Sequence, residues 1–122
     1  MTDVCPCGSV AAYAACCGRW HAGAAASSAA ELMRSRYSAF VLGFEDYLLA
    51  TWHPSTRPPV LQLDRSVKWL GLDVRRQHAD GDTATVEFVA RGKQAGRATR
   101  LHETSRFVRE GGRWYYVDGE IA

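Results

Sequence analysis

Residues 70–119 read LGLDVRRQHADGDTATVEFVARGKQAGRATRLHETSRFVREGGRWYYVDG. Asp80-Gly81 and Gly111-Gly112 punctuate this segment as hairpin turns, because glycine reaches the positive φ that tight turns need. Strands are therefore expected near 70–79, 82–91, 98–110 and 113–119. Alternation is clearest in the third, where Leu101, Glu103, Ser105 and Phe107 interleave with His102, Thr104, Arg106 and Val108. Upstream, the pattern turns helical from Glu31 to Trp52. Met33, Tyr37, Phe40, Phe44 and Leu48 recur at spacings of three and four and share one face. Ser28 stands three residues before Glu31, as a capping box requires, and Gly43 bends or breaks the stretch into two helices. HPSTRPP (53–59) is a loop, and Asp64 is placed to cap a short helix through Lys68. Helices first and a meander of strands after them define an α+β fold, with the helices packed on one face of an antiparallel sheet.

The chain has 122 residues, the length of a single ordinary domain. Its 47% hydrophobic and 11% aromatic content are globular values, so most of the chain is expected to fold. The formal charge of +2 is too balanced to predict nucleic-acid binding by itself. No run approaches the roughly 20 apolar residues of a membrane span. The opening MTDVCPCGS lacks a basic-then-apolar signal pattern. A cytoplasmic location with no membrane association is therefore expected. In that reducing setting clustered cysteines are metal ligands or redox groups more often than disulfides.

All four cysteines fall in the first seventeen residues, as Cys5-x-Cys7-x8-Cys16-Cys17. Four thiolates make a closed tetrahedral zinc site of the structural kind. Pro6 and Gly8 suit the tight turn on which Cys5 and Cys7 sit. A second close pair can fold back to complete the shell, and Arg19 can offset part of the excess negative charge. Three rival readings stay open. Disulfides are hindered because the adjacent Cys16 and Cys17 cannot easily bridge each other. A redox centre would normally be C-x-x-C rather than C-x-C. His21 can replace one cysteine as a ligand.

CPCGS (5–9), Tyr13 and Cys16-Cys17-Gly18 resemble the SEC-C motif, the zinc knuckle of the SecA translocation ATPase and of many small bacterial proteins. LMRSRYSAF (32–40), DYLLATWHPSTR (46–57), WLGL (69–72), VEFVAR (86–91) and WYYVDG (114–119) resemble the YchJ-like family of uncharacterised SEC-C proteins. The resemblance covers nearly the whole chain. It implies one structural zinc on Cys5, Cys7, Cys16 and Cys17, and a nuclear-transport-factor-2-like cone of curved sheet wrapped around helices. Read along the chain, the organisation is a knuckle over 1–21, a linker or helix start over 22–30, and the α+β body over 31–122. The SecA knuckle is rich in lysine, whereas the loop here is VAAYAA (10–15), so the resemblance does not carry over an acidic chaperone partner.

The implied cone has a pocket between helices and sheet, and its candidate residues are His53, Trp69, Glu103, Tyr116 and Asp118. Adjacent strand residues point to opposite faces, so an inward Glu103 puts His102 outside and separates any His102–Glu103 dyad. An inward carboxylate needs a partner, for which Arg36 or a tyrosine hydroxyl is available. Trp52, Trp69, Trp114, Tyr115 and Tyr116 read as core more readily than as a base-stacking platform. Two functions follow. The first is a non-enzymatic interaction module in which structural zinc fixes the knuckle and the protein docks a protein partner. Ribosome or nucleic-acid contact through Arg75, Arg76 and 91–100 is a weaker variant, and a dimer is compatible with the implied fold. The second is a small-molecule-binding or hydrolase- or isomerase-like pocket, with zinc as scaffold only.

Overall fold

The computed structural model describes residues 4–122. Helices α1 (Cys17–His21), α2 (Ala29–Leu42) and α3 (Glu45–Ala50) precede strands β1 (Val67–Asp80), β2 (Thr83–Gln94), β3 (Arg97–Glu110) and β4 (Arg113–Ile121). The strands form one antiparallel meander in the order β1-β2-β3-β4. Register breaks at Trp69/Gly71, Val74/Arg76 and Arg106/Phe107 bend the sheet around α2, the expected effect of bulges. The fold is α+β, as the sequence predicts.

The local chemistry accounts for the element ends. Ser28 caps α2 by accepting the Glu31 N–H at 3.1 Å, so the helix begins at Ala29, two residues before the predicted start. Ala29 and Ala30, placed in the linker or helix start, are buried against the core because their small side chains allow close approach. Gly43 ends α2 in the left-handed conformation (φ 79°), and α3 follows at once. The short helix expected after Asp64 is absent. Asp64 instead accepts the Ser66 N–H at 3.0 Å and stops a turn there, and β1 begins at Val67. The strands also run further than predicted. Ala95-Gly96 closes the β2–β3 hairpin with both residues at positive φ (51° and 77°), which prolongs β2 to Gln94.

The inner face of the sheet carries Val86, Phe88 and Ala90 of β2 and Phe107 of β3, packed against Leu32, Met33 and Tyr37 of α2. The four cysteines belong to this same buried cluster. The end of α3 is stapled to β4, where Tyr116 donates its N–H to Thr51 O at 2.8 Å and accepts the His53 N–H at 2.7 Å.

Candidate functional site

Backbone bonds bring the cysteines together. Gly8 N–H reaches Cys5 O at 3.3 Å and closes the Cys-Pro-Cys turn, while Cys5 N–H reaches Ala11 O at 3.0 Å and folds the loop back. A 3-10 turn at Tyr13–Ala15 then delivers Cys16, and α1 opens on Cys17. Gly18 must stay small, since a Cβ there would lie 2.8 Å from Tyr13 O. The four sulfur atoms lie within 4.8 Å of one another and all four residues are buried. A tetrahedral ion with metal–sulfur bonds of about 2.3 Å sets its sulfurs about 3.8 Å apart. Cys7 Sγ and Cys16 Sγ stand 3.7 Å apart, far beyond a disulfide bond, and all four thiols are free.

The donor set asks for a cation. A hydrogen bond from Cys17 holds Cys7 well below the usual thiol range, and the same bond together with burial pushes Cys17 up. Burial likewise raises Cys16. Thiolates at Cys16 and Cys17 are thus disfavoured in the metal-free cluster, and a shell of four thiolates needs a metal ion among them. The surroundings fit such an ion. Ser9 Oγ lies 3.1 Å from Cys16 Sγ, and Ser38 Oγ 3.6 Å from Cys5 Sγ. Arg34 Nη1 donates to Cys7 O and Arg19 Nε to Cys16 O, which places two cations beside the cluster. His21 is not free to join the ligands. Its Nε2–H donates to Ser35 O at 2.8 Å, which leaves Nδ1 to accept from Tyr13 OH at 2.5 Å. This Tyr13–His21–Ser35 chain ties the knuckle to α2. The sequence pattern does not reveal it, since neither the eight-residue step from Tyr13 nor the fourteen-residue step to Ser35 is periodic.

A cavity of about 200 Å3 lies between α2 and the inner face of the sheet. Of the predicted pocket residues, Trp69, Glu103 and Tyr116 line it. Arg36 joins them from α2, at 4% exposure. Its Nη1 caps the end of α3, donating to Leu48 O at 2.8 Å and Thr51 Oγ1 at 2.6 Å. Its guanidinium stacks 4.6 Å over the Tyr116 ring. Burial lowers Arg36 to about 10, so it stays charged at neutral pH, and burial followed by the Glu103 charge raises the Tyr116 phenol to about 12. The expected contact of Glu103 with Arg36 or a tyrosine hydroxyl is replaced by the Ser105 hydroxyl, which donates to Glu103 Oε2. Gly119 makes this possible, since a Cβ there would sit 2.6 Å from Glu103 Cδ.

The other two predicted pocket residues lie elsewhere. Asp118 falls on the outer face opposite Arg106 and pairs with it, because the bulge at Arg106/Phe107 resets the β4 register. His53 turns away from the cavity, with Nε2 2.8 Å from Glu110 and Nδ1 2.7 Å from Ser55 Oγ. This Ser55–His53–Glu110 chain superficially resembles a nucleophile relay. Yet the Ser55 N–H is spent on His53 Nδ1, and the next two N–H groups bond His53 O, so no oxyanion donor stands beside the hydroxyl. His102 is on the outer face as predicted, 2.7 Å from Glu87. Trp69 and Tyr116 line the cavity and Trp114 is buried, which removes them from any exposed stacking platform.

A four-cysteine knuckle sharing a core with an α+β cone defines a SEC-C protein with a nuclear-transport-factor-2-like body. The SEC-C motif matches residues 1–19, and the family described as "YchJ, middle NTF2-like domain" matches residues 28–119. The chain belongs to this YchJ-like family, within the uncharacterised bacterial UPF0225 proteins. It is 65% identical over 122 residues to a UPF0225 protein of Bordetella pertussis, covering 96% of this chain and 92% of that one. It is 59% identical to one of Chromobacterium violaceum, covering 97% and 93%. Its structure is similar to that of RPA3114, a SEC-C motif containing protein from Rhodopseudomonas palustris (TM-score 0.88, 35% identity, 98% and 99% covered). It is also similar to a SEC-C motif containing protein from Psychrobacter arcticus (TM-score 0.82, 28% identity, 98% and 83% covered). Among the described residues, no helix is long and apolar enough to cross a membrane.

Proposed function

We propose that this chain is a non-enzymatic interaction protein whose single structural zinc is bound by Cys5, Cys7, Cys16 and Cys17. The outer sheet face then docks an acidic protein partner. The closed four-sulfur shell leaves zinc no open position for substrate, which fits a structural role. The observation that carries the docking role is a cluster of unpaired cations. Lys68 pairs across the sheet with Lys93, and Arg91 with Arg100, at one end of β1–β3. All four are exposed, and among the described residues none makes an ion pair or a side-chain hydrogen bond. Like charges set opposite each other are costly unless an anionic surface neutralises them. A protein partner fits better than nucleic acid because Trp69 and Tyr116 face the cavity, leaving no aromatic platform from them among these cations.

Elemental analysis of untagged protein should find one zinc per chain, lost in the Cys16→Ser, Cys17→Ser double variant. Crosslinking in cells should then give a discrete protein adduct that Lys68→Glu, Lys93→Glu and Arg100→Glu together abolish. An adduct unaffected by charge reversal, or one made of RNA, would overturn the docking reading and leave the zinc assignment standing.

A further inference from the structure

The body cavity holds three polar groups with unused hydrogen-bonding capacity in an otherwise apolar lining. Among the described residues, the hydrogen bonds of Arg36 all leave from Nη1, while Nε and Nη2 have no protein acceptor. The Tyr116 hydroxyl has no hydrogen-bond partner among the described residues either. Glu103 uses Oε2 for Ser105 and keeps Oε1. No ion pair joins Arg36 to Glu103, although both line the cavity. Among the described residues Trp20 Nε1 is the one sealed side-chain donor without a partner, so the idle groups of Arg36 and Tyr116 open into the cavity, where a bound molecule can take the place of water.

The arrangement selects a ligand by charge and by shape. An anion would satisfy Arg36 and meet Glu103 in repulsion, and a cation would do the reverse. A neutral group that presents an acceptor on one side and an N–H donor on the other satisfies both. The carbonyl of an amide can accept from Arg36 or Tyr116, and its N–H can donate to Glu103. Phe40, Trp52 and Trp69, all half-buried, supply flat apolar walls and leave the cavity unsealed. The volume of about 200 Å3 suits one aromatic ring with a small substituent, since an apolar cavity of about 150 Å3 admits benzene. We infer that this cavity is a binding site for a small neutral aromatic amide, a carboxamide or ring lactam, held between Arg36 and Glu103. Glu103 and the mouth of the cavity lie on the inner face of the sheet, so this inference is independent of the outer-face docking role.

Three isosteric probes, benzamide, benzoate and benzamidinium, with toluene as the apolar control, test it on the zinc-loaded full chain, followed by amide chemical shifts of Trp69, Glu103 and Tyr116. Benzamide should perturb all three and bind at least tenfold more tightly than either charged analogue or toluene. Equal binding of toluene would reduce the cavity to an apolar hole. Tighter binding of benzoate or benzamidinium would contradict the balanced pair, and no perturbation by saturating benzamide would dispose of the site. Glu103→Gln removes one charge from the pair and should invert the order, with benzoate overtaking benzamide; an unchanged order in that variant, once its spectrum shows the native fold, would overturn the role of Glu103. The probe series on the unmodified chain decides the matter even if the variant does not fold.

Discussion

His21 holds its proton on Nε2 because Ser35 O can only accept, so Nδ1 must receive the Tyr13 hydroxyl. Protonating Nδ1 would require the Tyr13 hydroxyl to turn from donor to acceptor and would place a charge in a half-buried site. Burial therefore lowers the His21 pKa below 6.5, with the Ser35 hydrogen bond opposing only in part. The sign follows directly. Below 6.5 the unfolded chain takes up a proton that the native chain refuses, so stability is complete above that value and falls as pH drops toward the depressed native pKa. Imidazole carbon shifts of the metal-loaded protein should show His21 titrating below 6.5; a midpoint at or above that value would contradict the arrangement. Gly18 makes the neighbouring test. A Cβ at 2.8 Å from Tyr13 O meets backbone and ring rather than a flexible tip, so neither neighbour yields easily. Gly18→Ala should cost about 1–3 kcal/mol as an overpacked contact, read from chemical denaturation of the metal-loaded protein. The cysteines were legible because they cluster at ligand spacing. The Tyr13–His21 bond was not, because a tyrosine eight residues from a histidine has no periodic signature.

Among the elements, the β2–β3 hairpin shows where local sequence and final structure disagree. Asp80-Gly81 and Gly111-Gly112 announce their turns with glycine, whereas Ala95-Gly96 forces an alanine to φ 51°. A Cβ in that region is strained by about 1–2 kcal/mol, which Asn tolerates far better. Ala95→Asn should therefore raise the unfolding free energy by about 0.5–1 kcal/mol without shifting the Gln94–Arg97 pairing. A loss of stability, or a changed register in the amide spectrum, would show the turn to be held by something other than backbone preference. The same hairpin explains why the strands run further than predicted, since no Asn-Gly, Asp-Gly or Gly-Gly pair marks the turn. In α2 the apolar stripe located Met33 and Tyr37, which are buried. It could not locate Arg36, Ser35 or Ser38, which are buried as well. Periodicity detects side chains that leave water for hydrophobic reasons. It is blind to polar groups held inside by hydrogen bonds, and these are the groups that give the cavity its chemistry.

For the molecule as a whole, the decisive point is that no boundary in the core separates knuckle from body. Cys5 and Cys17 are buried with Leu32, Met33, Val86 and Phe107, and Ser38 and Arg34 of α2 reach back to Cys5 and Cys7. Composition alone divides the chain at the alanine-rich 22–30, yet the packing runs across that division. A domain of this size is stable by only about 5–15 kcal/mol. Structural zinc in small peptides contributes about 10–16 kcal/mol of binding that is also folding free energy. On the proposed zinc assignment, losing the ion removes an amount comparable with the whole stability, and the loss is felt wherever the cysteines pack. Chelation should accordingly abolish hydrogen-exchange protection at Val86 and Phe88 in β2 in the same transition that frees the amides of Cys5 and Gly8. Re-adding zinc should restore both together. If the β2 amides stayed protected while the knuckle exchanged freely, the shared core would not transmit the loss, and the knuckle would be a separately stable appendage on an independent body.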